Sequence, residues 1–271
     1  MMTREIDEIE LLPIPAGTFW MGSPVEDSEG FPEERPRHLQ ELTAGFLMAR
    51  FPVTVAQWKQ FHSAADGYAS AHWFDGLAVD ADHMESAVAP AFDQADHPVQ
   101  NVSWYEATAF CRWLTRRWRS SGRITKSQIV RLPSEVEWER AARGPAGADE
   151  AYRRWAWGDA LTPLHANYVD SGLGMTAAVG SHPAGRVPEW GVEDLIGNVW
   201  EWTTTKWVAD YTDYAPQDDA AGGENRVLRG GAWYFDAKLA RCAFRGSDAP
   251  GYRNYRIGFR LVVAEEAQAV V

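Results

Sequence analysis

The chain has 271 residues, of which 45% are hydrophobic and 24% are charged, and its formal net charge is -12. A chain of this length and composition can bury a large core without disulfides or metals. The acidic charge is not offset by any cluster of Lys and Arg, which makes binding to a phosphate backbone unfavourable. We therefore expect no nucleic-acid partner.

The N-terminus argues against export and membrane insertion. Residues 1–10 carry four acidic side chains and no apolar run of signal-peptide length, and no later stretch is long enough to span a bilayer. We therefore expect a cytoplasmic protein with no membrane partner. The two cysteines, Cys111 and Cys242, lie far apart without CxxC spacing, so we predict reduced thiols rather than a disulfide framework or zinc ribbon.

Three helices are predicted from one local signal, a Ser or Thr followed three residues later by Gln or Glu. The pairs are Thr54 and Gln57, Ser103 and Glu106, and Ser134 and Glu137. The second helix is predicted over residues 105 to about 118, with Cys111 on its apolar face as a core residue. Gly144 stands where the third helix would end.

Strands are predicted to be few and short. A first strand covers residues 11–19, and β-like pieces lie at 227–228 and 257–263. Residues 64–96 are predicted to form an irregular insertion. The 14 tryptophans indicate a loop-rich fold packed by aromatic anchors, because a buried indole needs a partner for its N–H group.

Domain organisation follows from the absence of a composition shift, an internal repeat or a low-complexity run. We predict a single α+β domain over residues 1–271, with its core at about 10–263.

Short motifs rich in Trp and Gly occur in a fixed order along nearly the whole chain. They are PAGTFWMGS (15–23), ERP (34–36), PVT (52–54), PVQNVSW (98–104), RLPSE (131–135), WGD (157–159), GNVWEW (197–202), RGG (229–231) and IGFR (257–260). Together they resemble the formylglycine-generating enzymes, also called sulfatase-modifying factors. The resemblance implies a variant of the C-type lectin fold, an irregular α+β domain with little regular secondary structure.

The same resemblance raises the question of copper. Formylglycine-generating enzymes hold copper with two thiolates, the ligands that Cu(I) prefers, a few residues past the Gly-Gly motif. Here Phe235 occupies the first of these positions, the second falls in a shortened segment, and Ala232 replaces the usual Ser. Cys242 resembles a downstream cysteine without a catalytic role. The chain therefore lacks the cysteine pair, and we expect neither copper nor sulfatase activation.

A second branch of the family, the sulfoxide synthases, holds iron with three histidines of an additional N-terminal helical domain. We expect no such domain here, and the seven histidines show no HxxxH or comparable ligand spacing. We therefore expect no iron.

Calcium is the metal that the resemblance favours, in a structural role. Carboxylates and backbone carbonyls suit this hard cation. The first predicted site consists of Asp194, Gly197, Val199 and Glu201. The second predicted site consists of Asn167, Tyr168 through its carbonyl, and Asp170. The alternative is that Asp194 and Glu201 cap turns and pair with arginines.

The segment between the RGG and IGFR motifs is the candidate ligand-binding surface. It carries Tyr and Arg, the residues most often found in binding hot spots. The predicted contacts are Trp233, Tyr234, Phe235, Asp236, Leu239, Ser247, Asp248, Tyr252, Asn254, Tyr255 and Arg256. C-type lectin variable proteins diversified by retroelements look similar here. The alternative is an ordinary loop over a vestigial active-site cleft.

The leading hypothesis is a non-catalytic domain that binds a protein, peptide or small ligand through residues 233–256. The first alternative is an oxidoreductase of the same family with a divergent active site. The second is an interaction domain of a bacterial defence or signalling system.

Overall fold

The computed structural model describes residues 5–79, 83, 88–145, 152–158 and 160–266. The α-helices that lie wholly within these ranges are α1 (Val55–Ser63), α2 (Trp104–Ser121) and α3 (Glu135–Arg143). The strands are β1 (Leu11–Ile14), β2 (Gly17–Met21), β3 (His38–Leu42), β4 (Phe46–Ala49), β5 (Gln128–Arg131), β6 (Trp200–Lys206), β7 (Arg226–Arg229), β8 (Arg245–Asp248), β9 (Ile257–Gly258) and β10 (Val262–Glu265). The predicted mixture of helices and short strands is confirmed.

The strands form three sheets, ordered β1-β4-β10-β5, β2-β3 and β8-β7-β6-β9. All the pairs are antiparallel except β6 with β9. In the described part of the chain, no helix has the length and apolar character that crossing a bilayer requires.

All three predicted capping boxes are present. The side chains of Thr54, Ser103 and Ser134 each accept a hydrogen bond from the N–H three residues later, and the Gln or Glu there bonds back. Helix α2 ends at Gly122, whose left-handed φ of 76° favours glycine. The third helix ends at Gly144 as predicted, with φ at 77°.

Two predicted strands are each divided between sheets. The stretch 11–19 contains β1 and the start of β2, which pair with β4 and β3 respectively. Pro15 lies at the break, where its missing N–H prevents a continuous ladder. The stretch 257–263 contains β9 and the start of β10, and it crosses from the β6 sheet to the β4 sheet. Within the predicted insertion, Ala71–Phe74 forms a 3-10 helix, whereas 80–82 and 84–87 lie outside the described residues.

The tryptophans pack as the composition predicts. Trp104, Trp113, Trp118, Trp138 and Trp202 are fully buried. Each of these five indole N–H groups has a partner, and those of Trp104 and Trp202 donate to the carbonyls of Thr203 and Val102 at 2.8 and 2.9 Å. The buried indole N–H groups of Trp155 and Trp233, in contrast, have no hydrogen-bond partner among the described residues. Cys111 faces the core from α2, as predicted, in the same hydrophobic cluster as Trp104 and Trp113.

Glu106, in the first turn of α2, ties the segment 249–256 to that helix. Its carboxylate accepts from Nε and Nη2 of Arg253 at 2.8 and 3.0 Å and from the Tyr68 hydroxyl at 2.7 Å. Burial by itself raises the pKa of Glu106, but the bonds from Arg253, the Ser103 N–H and Tyr68 outweigh burial and lower it. The ionised carboxylate of Glu106 therefore holds the candidate binding segment against α2.

Replacing Glu106 with Gln should lower the free energy of unfolding near pH 7 by about 3 kcal/mol, because Arg253 is left without its carboxylate. A lowered folded-state pKa contributes stability above the unfolded-state pKa of about 4.3, and this contribution is lost as pH falls through the folded-state pKa. The difference between wild type and E106Q, measured by urea unfolding, should therefore shrink below about pH 4. The exposed Glu41→Gln is the control. A pH-independent difference would contradict the assignment.

Candidate functional site

A cavity of about 210 Å³ opens on the face formed by β8 and the segment that follows it. Its floor is apolar and its rim is polar. The floor consists of Trp200, Leu228, Gly246 and Ile257, and the remaining wall of Phe235, Ser247, Asp248, Tyr252, Asn254 and Arg256. Such a site can take an apolar group and hydrogen-bond to its polar end.

Six of the eleven predicted contact residues line this cavity: Phe235, Ser247, Asp248, Tyr252, Asn254 and Arg256. Three more adjoin it: the rings of Tyr234 and Tyr255 contact the guanidinium of the lining residue Arg256, and the Trp233 ring contacts both tyrosines at 5.6 and 6.0 Å between centroids. Asp236 and Leu239 lie outside the lining. Asp236 instead caps the 3-10 helix Ala237–Leu239 by accepting from the Lys238 and Leu239 N–H groups.

Arg256 is the cation of this site. Its guanidinium lies 5.0 Å from the ring centroids of both Tyr234 and Tyr255 and 5.2 Å from that of Phe235. Its Nε donates to Oδ1 of Asn254 at 3.1 Å. Among the described residues, no carboxylate forms an ion pair with Arg256. Aromatic contacts and one hydrogen bond thus orient a guanidinium whose remaining donors can meet an anion.

Asp248 supplies a negative charge on the same wall. Burial raises the pKa of its carboxyl, and the Ala249 N–H, which donates at 3.2 Å, only partly offsets the shift. The cavity therefore combines an apolar floor with one cation and one partly desolvated carboxylate.

Sequence reasoning missed the floor of the cavity. Trp200 belongs to the GNVWEW motif, and Leu228 and Ile257 fall in predicted strands, so each residue lies in a segment that the sequence identifies. Their meeting depends on strand pairing, which sets Leu228 opposite Gly246 and Trp200 opposite Ile257. No local signal in the sequence reports such a register.

The two thiols do not lie together. Cys242 is fully buried, and its Sγ donates to the Ala142 carbonyl at 3.8 Å. Burial raises the pKa of Cys242 to about 11 and that of Cys111, in the other core cluster, still further. Within the ranges that the structure describes, no group of three or more His, Cys, Asp or Glu is arranged to hold a metal.

The first predicted calcium site contains a buried carboxylate that forms no direct ion pair among the described residues. Asp194 is buried, and its Oδ2 accepts from the Gly180 N–H at 2.7 Å. Burial raises its pKa to about 6 and repulsion from Glu193 and Glu201 adds to the effect, whereas the Gly180 N–H and the charge of Arg260 offset only part of it. A cation beside Asp194 would offset both the burial of its carboxylate and the repulsion from Glu193 and Glu201, so this residue suits calcium.

Glu201 has the partner that the alternative interpretation named. Its oxygens accept from Nε and Nη2 of Arg260 at 2.6 and 2.7 Å, and Oε2 also accepts from the Trp138 indole. A carboxylate offers about four lone-pair positions, so these bonds still leave room for a metal. Gly197 and Val199 provide carbonyls in the loop between the two acids.

The second predicted site is occupied by internal hydrogen bonds. The Tyr168 carbonyl accepts from the N–H and hydroxyl of Ser171, at 2.9 and 2.7 Å, and Oδ1 of Asn167 accepts from the same hydroxyl. Asp170 interacts with the Tyr168 phenol. These contacts make the second site the poorer fit for calcium.

Comparison with known proteins identifies the family. The sulfatase-modifying factor enzyme 1-like domain matches residues 2–265. Hercynine oxygenase of Mycobacterium tuberculosis is 33% identical over 84% of this chain, which spans only 54% of that protein. Formylglycine-generating enzyme of Streptomyces coelicolor is 32% identical, covering 91% of this chain and 87% of the relative.

Among solved structures, Treponema denticola variable protein 1 has a TM-score of 0.67 and 25% identity, covering 93% of this chain and 94% of that one. Its fold agrees with the C-type lectin variant expected from the motifs. The chain therefore belongs to the sulfatase-modifying factor, or formylglycine-generating enzyme, family.

Proposed function

We propose that this domain is a non-catalytic member of its family that binds a peptide segment of a partner protein through residues 233–256. The observation that carries the proposal is the cavity of about 210 Å³ beside Arg256, whose guanidinium lies over three rings without a carboxylate partner among the described residues. One apolar side chain of the peptide enters the cavity, and an acidic neighbour meets Arg256.

The size and surroundings of the cavity favour a peptide over a free small molecule. Pockets for drug-sized ligands hold roughly 300–1,000 Å³, more than this cavity. Its surroundings are aromatic and accessible, since Tyr234, Tyr252 and Tyr255 are 54%, 43% and 38% exposed. Exposed tyrosines around a small pocket are typical of interfaces in which one anchor is buried and its neighbours exclude water.

The structural likeness to a protein named a variable protein is compatible with a binding function on this scaffold. Under the proposal, the sheet β8-β7-β6-β9 supports a surface whose contacts lie on β8 and on the loops before and after it. Diversification by a retroelement, and a role in a bacterial defence or signalling system, are compatible extensions of a binding function.

Gly246→Leu should weaken peptide binding while leaving the fold intact. A Cβ at this position meets Trp200 and Leu228 at 3.5 and 3.6 Å, ordinary contact distances, so the longer side chain fills the cavity. Peptides selected from a random displayed library on the immobilised wild-type domain should share an apolar residue next to Asp or Glu. Their affinity, measured by calorimetry, should fall at least about tenfold for G246L and for the double variant Y234A/Y255A.

Two further variants sharpen this experiment. Arg256→Gln should lower the affinity for acidic peptides more than it lowers the affinity for the same peptides with Asn or Gln in place of Asp or Glu. Val25→Ala, at a residue that is 78% exposed on another face, is the control and should bind like wild type. Unchanged affinity in G246L, or peptides without an apolar anchor, would refute the proposal.

We also propose that calcium binds between Asp194 and Glu201 and stabilises the loop that carries the GNVWEW motif. Support comes from the carboxylate of Asp194, which is buried next to two other acids. The metal would be held by these carboxylates and by the Gly197 and Val199 carbonyls.

Excess EDTA should lower the melting temperature of the wild-type domain by about 5 °C or more, because calcium bound at many times its Kd stabilises only the folded state. Asp194→Asn should remove this response, whereas Asp170→Asn, in the second site, should retain it. The midpoint is measured by calorimetry with and without added calcium. A wild-type midpoint insensitive to EDTA would exclude the site.

A second candidate function is that of an oxidoreductase, favoured by the 33% identity to hercynine oxygenase. On this alternative, the domain as purified should contain stoichiometric copper or iron by mass spectrometry and should consume oxygen with thiol substrates. Under the binding proposal, neither should occur. If G246L abolished the oxygen uptake, the oxidation reaction would be located in the cavity beside Arg256.

A further inference from the structure

A second cavity, of about 350 Å³, lies on another part of the molecule, between α2, β5 and the loop at 218–220. Its walls include the buried apolar side chains of Trp104, Val130 and Leu132. A volume above about 300 Å³ with a mainly apolar wall is typical of pockets for small molecules. None of its lining residues belongs to the surface at 233–256.

Arg112 is the cation of this second cavity that lacks a carboxylate partner. Its Nη1 donates to the carbonyls of Trp73 and Asp75 at 2.9 and 2.8 Å. Within the described ranges, no acidic side chain lies within ion-pair distance of it. Burial lowers the pKa of Arg112, and the more distant charge of Asp75 only partly restores it. An anion in the cavity would supply the missing charge.

The other two arginines of the cavity wall are already paired. Arg131 forms two hydrogen bonds with Glu137 at 2.6 and 2.7 Å, and Arg119 pairs with Glu266 at 2.8 Å. Because both of these arginines are paired with glutamates, Arg112 is the arginine of this wall that can bind an anion.

Asp218 also lines the cavity but does not oppose Arg112. The charges that act on its carboxyl are those of Glu137 and Arg131, and the Thr204 and Thr205 hydroxyls donate to it. The carboxylate charge that acts on Arg112 is that of Asp75 instead. The cavity is thus cationic at the Arg112 end.

Thr108 provides an independent observation that points to a ligand. Its hydroxyl lies on the cavity wall, one turn of α2 before Arg112, and it is buried without a hydrogen-bond partner among the described residues. A buried hydroxyl without a partner costs about 1–3 kcal/mol, so such groups are generally satisfied by a ligand or water.

We propose that this cavity binds a small amphipathic carboxylate, with its carboxylate at Arg112 and Thr108 and its apolar chain along Trp104, Val130 and Leu132. The site is distinct from the peptide surface, so either can exist without the other. The eight-carbon acid octanoate is a suitable probe because its head and chain match the two parts of the cavity.

Titration of the 15N-labelled domain with octanoate should shift the backbone amide signals of residues 104–119 and 129–132. Octanol should bind at least about tenfold more weakly, because it lacks the charge-assisted hydrogen bonds to Arg112. Shifts confined to 246–256, or equal affinity for octanol and octanoate, would overturn the proposal.

Variants on one helix complete the test. Arg112→Gln should weaken octanoate at least about tenfold, and Arg112→Lys, which keeps the charge, should lose less. Arg116→Gln removes the same charge from an exposed position one turn later and should leave affinity unchanged.

Thr108→Phe should block the cavity without losing a hydrogen bond, so its melting temperature should equal or exceed that of wild type. Thr108→Leu provides the same block with a smaller side chain. Wild-type octanoate affinity in a folded T108F or T108L would refute the site.

Discussion

Buried ion pairs between arginine and glutamate hold this irregular fold together. Arg229 on β7, fully buried, pairs with Glu139 of α3, and Arg241 forms two bonds with Glu34 at 2.6 and 3.0 Å. Removing one member of a buried pair costs about 3–5 kcal/mol, although the intact pair adds little net stability. These pairs therefore select one arrangement of the loops rather than supply most of the stability.

The same guanidinium groups satisfy the backbone of the loops. Arg229 donates to the Cys242 and Ala243 carbonyls, and Arg260 donates to those of Ala49, Arg50 and Glu193. Loop carbonyls inside a protein have no ladder partner, and each one left unsatisfied is costly. Five donors on one arginine meet several such carbonyls at once, which allows a chain with few helices and strands to bury so much loop.

The helices could be predicted from the sequence because their start signals are local: Ser103 and Glu106 lie three residues apart and bond each other. The strands at 11–19 and 257–263 were each divided between two sheets, since which sheet a residue joins depends on partners far along the chain. The residues around the candidate cavity were predictable by residue type, but its apolar floor was not, because Trp200 and Leu228 reach it only through strand register.

Phe235 connects the fold to the proposed function. It occupies the position that the family resemblance assigns to a copper thiolate. Here its ring contacts that of Trp200, and the guanidinium of Arg256 lies 5.2 Å from its centroid. A thiolate would bind a soft metal at this point, whereas an aromatic face holds a cation by its quadrupole and leaves the outer N–H donors of that cation free. Under the proposed function, an aromatic residue at this position orients an arginine toward an acidic partner, so the same scaffold would serve for binding.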